Sequence, residues 1–389
     1  MRIGILTQPL LNNYGGLLQN YALQKVLRDA GHDPQTIDHG NKKRSWIKEQ
    51  LGLIIKYVFH ILKPCKYASP RYQPTKKEFS IISRNSNSFI DKYITRTIPF
   101  SSEKELHKLV NKGQYDGYVV GSDQVWRPIY SGGFLKEMFF SFAEGKKNIY
   151  RIAYAASFGT DKWEFNPQMT KECARLAKLF DVITVREDSG VALCRENLGV
   201  EAIHVLDPTM LLSKDDYIQL VEAEKEPISS GDLFYYILDP SQKKAGFINE
   251  VAAHNNLVPF TVLPQKQAEN RTRYDVKHNI EECVYPSVTS WLRAFMDAKM
   301  VIVDSFHGAV FSIIFNKPFW IIANPERGNA RFSSLLKLFG LENRITDVFH
   351  LHEIDINQPI DWKSVNEIKY RKIIESKAIF KYLESNIYA

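Results

Sequence analysis

A series of short, almost wholly apolar runs, each closing on a turn or polar residue, most constrains what this chain can fold into. They read RIGIL near the start, then DGYVVG, RIAYAAS and VITVR, and further on LFYYIL, MVIVD and PFWII. A strand with one wet face alternates polar and apolar residues; these runs do not, so both faces must be covered, which is the condition of a parallel sheet flanked by crossover helices. The first half predicts a strand over 2–7, a glycine-containing turn, a helix from about Leu17 to Ala30 and a strand around Thr36 to Asp38, a βαβ start. Further strands are predicted at Asp116–Gly121, Arg151–Ser157 and Val182–Arg186. Leu206-Asp207-Pro208-Thr209 reads as an exit turn. A second series begins near Leu233 and continues through Leu257–Leu263, Met300–Asp304 and Pro318–Ile322, with a helix over His307–Phe315. Trp362–Tyr388 has apolar residues at helical spacing and predicts a closing amphipathic helix.

At 389 residues the chain exceeds one ordinary core and divides into two α/β units. We expect a Rossmann-like domain over 1–205, a second over 206–361, and the closing helix over 362–389. Met1 runs straight into a strand-like stretch, leaving no room for a signal peptide. The four cysteines, Cys65, Cys173, Cys194 and Cys283, form no CxxC pair, which argues against a disulfide framework or a zinc site. The expected location is cytoplasmic, with no metal and no cofactor.

The net charge of +7 is local. Residues 41–77 hold ten Lys/Arg against the single acid Glu49, and the remainder carries 41 basic and 43 acidic residues. Nothing general about nucleic acid follows from such a balance, and none is expected as a partner. The basic stretch opens an insertion, about 41–100, in the first domain. If helical, it carries a broad apolar side (Trp46, Ile47, Leu51, Ile54, Ile55, Val58, Ile61, Leu62) among lysines, which suits peripheral docking of residues 42–77 on the inner face of the cell membrane. The plainer alternative is a helix packed on its own domain or in a homo-oligomer. Leu51–Leu62, the most apolar run, is broken by Lys56 and His60 and is too short to span a bilayer.

Several motifs sit where open α/β sheets hold ligands, at strand C-termini. Asn12-Asn13-Tyr14-Gly15-Gly16 opens the first helix, either as an anion cradle of free N–H groups or as a plain turn whose glycines permit positive φ. In Gly121-Ser122-Asp123-Gln124-Val125-Trp126, Asp123 and Gln124 suit sugar hydroxyls; Trp126 offers a flat face for a pyranose or is a core side chain. Arg186, ending VITVR, has the planar fork that grips carboxylate or phosphate, or forms a structural pair with Glu187. The strongest local signal is Val303-Asp304-Ser305-Phe306-His307-Gly308, a buried strand running into a helix with His307 in its first turn. Asp304 or Ser305 there is a candidate cap, and His307 is either catalytic or structural. Arg327 and Arg331 follow the next strand and supply two further cations.

In this order, NNYGGLLQNYALQ, GSDQVW, VRED, LDPTMLL and DSFHGAVFSIIFNKPF resemble the polysaccharide pyruvyl transferase family over nearly the whole chain. The resemblance implies a GT-B-like α/β fold, two Rossmann-like domains with parallel sheets facing a central cleft. It implies transfer of a pyruvyl group from phosphoenolpyruvate, the donor substrate, to a sugar hydroxyl as a ketal, on a bacterial surface polysaccharide or its lipid-linked precursor. His307 is then the acid/base and Asp123 orients or deprotonates the acceptor. Arg186, Arg327, Arg331, Ser305 and Gly308 fall on the donor side, and Asn13, Tyr14, Gly15, Gln124 and Trp126 on the acceptor side, which belongs to the first domain. One departure is that members often carry arginine where this chain has Ser305, so Arg327 or Arg331 is expected to supply that charge. Two other readings share the architecture: a GT-B glycosyltransferase using a nucleotide sugar, and a carbohydrate-binding protein without catalysis.

Overall fold

A computed structural model of the chain describes residues 1–40, 72–131, 133–268, 270–323 and 329–385. Two all-parallel sheets organise it. Strands β1 (Arg2–Leu6), β2 (Asp33–Thr36), β3 (Gly117–Val120), β4 (Tyr150–Ala156), β5 (Val182–Val185) and β6 (Ile203–His204) form the first, in the order β2-β1-β3-β4-β5-β6. Strands β7 (Leu233–Tyr236), β8 (Pro259–Phe260), β9 (Met300–Val303), β10 (Phe319–Ile322) and β11 (Ile345–Thr346) form the second, in the order β11-β10-β9-β7-β8. The apolar runs behave as expected, since β3, β9 and β10 are buried at every position. This is the GT-B-like pair of Rossmann-like halves.

The strand order reverses direction once in each sheet, between β1 and β3 and between β7 and β9. At such a switch point neighbouring crossovers leave on opposite faces and a crevice opens at the strand C-termini. The helices that matter for the site are α1 (Tyr14–Asp29), α2 (Lys76–Ile82), α3 (Arg84–Tyr93), α4 (Glu103–Gly113), α5 (Gln242–Asn255), α6 (Val288–Asp297), α7 (Phe306–Ile314), α8 (Ala330–Phe339) and α9 (Trp362–Ser385). Helix α1 leaves the first switch point and α7 the second.

Some boundaries move from the sequence expectation. The second strand begins three residues earlier, at Asp33, and includes Pro34, tolerable because β2 has only β1 as a full partner; on its other side it meets residues 96–100 through single bridges. The strand expected over Leu257–Leu263 contracts to Pro259–Phe260. The part of the expected insertion at 41–71, with its apolar face and most of its basic residues, lies outside the described residues.

Within the described remainder of that insertion, 72–100, residues 72–93 tie the halves together. Arg84 of α3 grips Glu281 through both guanidinium nitrogens, at 2.8 and 2.6 Å, and Asn85 Nδ2 donates to the Tyr285 carbonyl at 2.8 Å. Tyr285 N–H in turn donates to the Ile82 carbonyl at 3.0 Å. Ile82 packs with Val276 and Cys283 in a small separate core. The main core runs between the halves, with Leu17 and Leu18 of α1 in one cluster with Trp291 of α6 and Phe311 of α7. The last helix returns to the first sheet, where Phe380 lies 4.6 Å from the Tyr154 ring and Ser376 Oγ accepts from Leu206 N. Among the described residues no helix is long and apolar enough to cross a membrane.

Tyr14 completes the junction: its ring is buried between the halves and its hydroxyl donates to the Pro286 carbonyl at 2.9 Å. Tyr14→Phe keeps the packing and strands that carbonyl, so urea unfolding should show a loss of about 1–2 kcal/mol.

Candidate active site

The two switch points face each other across a cavity of about 330 Å³. Gln8, Asn13, Gly15, Asp123 and Gln124 line it from the first half, and Asp304, Ser305, His307 and Arg331 from the second. Each is delivered by local backbone chemistry. Past β3, Gly121 adopts φ +125°, and a Cβ there would lie 2.1 Å from the Tyr154 carbonyl oxygen, so only glycine fits. The turn continues into Asp123 at φ +66°, a left-handed conformation that aspartate tolerates better than most residues and that recurs at functional sites.

Next to His307 lies a residue of the exit turn, with no place among the candidates above. Asp207, in LDPT, is buried and saturated with donors. Its Oδ1 accepts from Thr209 N at 3.0 Å and Thr209 Oγ1 at 2.7 Å, and its Oδ2 from Ser122 Oγ at 3.0 Å and Arg186 Nη1 at 3.1 Å. His307 Nε2 stands 3.6 Å from the same Oδ2, too far for a hydrogen bond but close enough for a strong electrostatic contact. Burial alone would raise the Asp207 pKa; the His307 ring, the Arg186 guanidinium and the Thr209 N–H outweigh it and hold the carboxyl well below the usual range. The only cue in the sequence is an acid before proline in a turn, which is also an ordinary cap; Asp207 does cap the short turn of 3₁₀-helix that follows.

Arg186 is a correction. It was expected to grip the donor, but its side chain is only 1% exposed, it does not line the cavity, and three carboxylates surround it: Asp207 at 3.1 Å, Asp123 at 3.5 Å and Glu187 at 3.5 Å. Its guanidinium also lies 4.3 Å from the Phe306 ring, the residue before His307. Its charge is spent within the protein, and its place is that of a support for α7. Trp126 is a second correction: it is fully buried, stacks on Phe139 at 4.6 Å and donates Nε1–H to the Met138 carbonyl, so no ring face is open to a sugar. Tyr14 is likewise committed to the junction between the halves.

The glycine-containing turn works differently from either expectation. Asn13 caps α1, its Oδ1 accepting from Gly16 N at 3.2 Å. Gly15 is helical, and what it supplies is space: a Cβ there would lie 2.2 Å from His307 Nδ1 and 2.6 Å from His307 Cβ. The histidine of one half thus rests on the bare backbone of the other. Ser305 caps α7, accepting from Gly308 N at 3.2 Å, and Gly308 avoids contact between a Cβ and both Ser305 Oγ and Val303, each at 2.8 Å. Asp304 is held by Leu238 N at 2.7 Å, Asp239 N at 2.9 Å and the buried Lys244 Nζ of α5 at 2.7 Å, which fixes the loop after β7 at the cavity wall.

Arg331, in the first turn of α8, is the cation left facing the cavity. Its Nε is enclosed and has no hydrogen-bond partner among the described residues. Burial, with Arg186 nearby, pushes its pKa down to about 10 against the opposing pull of Asp123 and Glu187, so it remains charged at neutral pH. Arg327 lies outside the described residues. Among the described residues no group of three or more His, Cys, Asp or Glu is arranged to hold a metal ion.

A model of the family described as "polysaccharide pyruvyl transferase" matches residues 13–326, from Asn13 of the first motif through Asp123, Asp207 and His307, with Arg331 just beyond it. The chain belongs to that family. No curated protein matches it in sequence. Among solved structures, this pyruvyl transferase family member is similar to a UDP complex of MnaA from S. aureus, with a TM-score of 0.50 and 10% identity over 100% of this chain and 98% of that one. It is also similar to the UDP-GlcNAc 2-epimerase of Neisseria meningitidis bound to UDP-GlcNAc, with a TM-score of 0.48 and 11% identity over 99% and 100% of the two chains. The spinosyn forosaminyltransferase SpnP gives a TM-score of 0.46 and 14% identity over the whole of both chains. At such identities the likeness concerns the fold.

Two substitutions test this geometry. Gly15→Ala should displace the His307 ring and lower transfer at least ~100-fold while circular dichroism stays native, since about 1 Å of misplacement costs that much. Ser305→Ala should lower stability in urea by about 1 kcal/mol through loss of the α7 cap, and Ser305→Asn should recover most of it.

Proposed function

We propose that this family member transfers the pyruvyl group of phosphoenolpyruvate to a sugar as a ketal, acting on a surface polysaccharide or its lipid-linked precursor at the inner face of the cell membrane. The observation that carries the reading is Arg331: an enclosed cation with an unmatched Nε, in the same cavity as a histidine that sits against a buried carboxylate. A small, strongly anionic donor would supply the acceptor that this Nε lacks. The carboxylate or phosphate of phosphoenolpyruvate accepts from Arg331 and lies near the N-terminus of α7, where the helix dipole favours negative charge.

The chemistry needs one proton donor and one acceptor. His307, with Nε2 turned to Asp207, is left with Nδ1 for exchange beside Gly15; as imidazolium it protonates the methylene C3 of the enol as C2 gains oxocarbenium character. Asp207 stabilises that imidazolium through a charge that stays ionised throughout. A sugar hydroxyl, losing its proton to Asp123, adds to C2. A second hydroxyl of the same sugar then displaces phosphate, giving its proton to the now neutral His307 while Asp123 passes its own to the leaving phosphate, so two C–O bonds form, one C–O bond to phosphate breaks, the C=C π bond is lost to the new C–H bond and both side chains return to their starting states. Asn13, Gln124 and Gln8 offer amide groups on the acceptor side. Asp304 and Ser305 are engaged in holding the β7 loop and α7, and act through position.

Phosphate release from phosphoenolpyruvate that requires added saccharide acceptor is the direct assay, with UDP-sugars as the competing donors; turnover with a UDP-sugar and none with phosphoenolpyruvate would overturn the proposal. His307→Ala should abolish transfer and leave phosphoenolpyruvate affinity within about threefold, because proton transfer acts in the transition state. Arg331→Met should weaken donor binding by about 1.5–3 kcal/mol. The same variant should melt higher than the wild type without ligand, since the desolvation of a cation is relieved, and should lose the upward shift that phosphoenolpyruvate produces. Thermal denaturation with and without donor reads both effects.

A further inference from the structure

A second cavity, larger than the first, has no part in this chemistry. It is a groove of about 1110 Å³ on the outer edge of the first sheet, between α4 and residues 96–101, which run beside β2. It shares no lining residue with the catalytic cavity. Its accessible apolar lining is Ile98, Pro99 and Leu109; Ile98 is 76% exposed, an unusual state for a side chain whose burial is worth ~2 kcal/mol. Its rim is basic. Arg2, Lys76, Arg96, Lys108 and Lys112 line it, against the single acid Glu105.

Two of these cations are already matched, Arg96 by Asp38 and Asp91, and Arg2 beside Asp33. Lys76, Lys108 and Lys112 are exposed and make no ion pair among the described residues. Gly40 and Lys76 both line the groove and flank the segment 41–71, whose sequence holds eight Lys/Arg and one acid.

We propose that this groove docks the protein on an anionic lipid surface. An aliphatic floor with a lysine rim fits a lipid with a phosphate headgroup, the apolar residues meeting acyl chains and the lysines the phosphates. Single-stranded nucleic acid would satisfy the lysines but needs open aromatic faces for its bases, whereas Phe100 and Tyr115 are buried here. The inference is independent of the reaction, since it uses none of the catalytic residues and is read without turnover.

The test is co-sedimentation of the full chain with vesicles of phosphatidylglycerol in phosphatidylcholine, against pure phosphatidylcholine, at low and high salt. Wild type should bind the anionic vesicles at low salt and be released by salt. Binding should fall about fivefold for each lysine lost, hence at least about twentyfold for Lys108→Ala with Lys112→Ala. Ile98→Ser should weaken it on its own. Because Ile98 and the lysines belong to different segments, an effect of both at unchanged melting temperature assigns the docking to the groove. The proposal is overturned if wild type does not prefer anionic vesicles, if inorganic phosphate at millimolar concentration releases it, or if the lysine and Ile98 variants bind as wild type does, which would move the docking to residues 41–71.

Discussion

The carboxylate of Asp207 is the point on which the site depends. It accepts from the loop after β3 through Ser122, from the end of β5 through Arg186 and from its own turn through Thr209, and it stands beside His307 of the other half. Removing one partner of so enclosed a pair leaves an uncompensated charge, which costs several kcal/mol, more than any single hydrogen bond nearby. Its charge fixes the protonation logic of the site. With a pKa held below the usual range, it contributes stability fully above about pH 4, and that contribution is lost as the pH falls from the unfolded value toward the depressed folded one. Across the neutral range it is a constant negative neighbour for the histidine.

Around this fixed charge the fold sets two crevices mouth to mouth. Either switch point alone would offer strand ends and a helix N-terminus, a general anion site of low specificity. Facing each other, they combine the acid Asp123 and amides of one half with the histidine and arginine of the other in about 330 Å³. The clamp formed by residues 72–93, through Arg84, Asn85 and the Ile82–Tyr285 backbone bond, holds them in register. An insertion that reads in sequence as an appendage is in this part a fastening between the halves.

The architecture was legible because both sheets are parallel and buried, so unbroken apolar runs such as GYVV, MVIV and FWII leave little choice of structure. Short strands escaped that logic: two residues at β8 and β11 carry no period to read. The cavity's members His307, Asp123 and Arg331 stood at strand ends or helix starts where topology directs ligands. Arg186 and Trp126 stood there too and turn inward, because the direction of a side chain at a turn depends on partners 21 to 63 residues away for Arg186 and 12 residues away for Trp126. Asp207 went unread for the converse reason: an Asp-Pro turn looks the same whether the carboxylate caps a helix or also balances a buried guanidinium.

The contact between Gly15 and the His307 ring carries a consequence for descent. A side chain at position 15 and an imidazole at position 307 exclude each other by more than 1 Å of overlap against ordinary contact. Neither residue is free to change alone, although they are almost 300 positions apart in the chain and belong to separate halves. In a lineage of such proteins the two positions should therefore drift as a unit. Where the histidine is lost, the restraint on the glycine disappears with it, so a bulkier residue at 15 marks a copy that has given up this chemistry while keeping its fold.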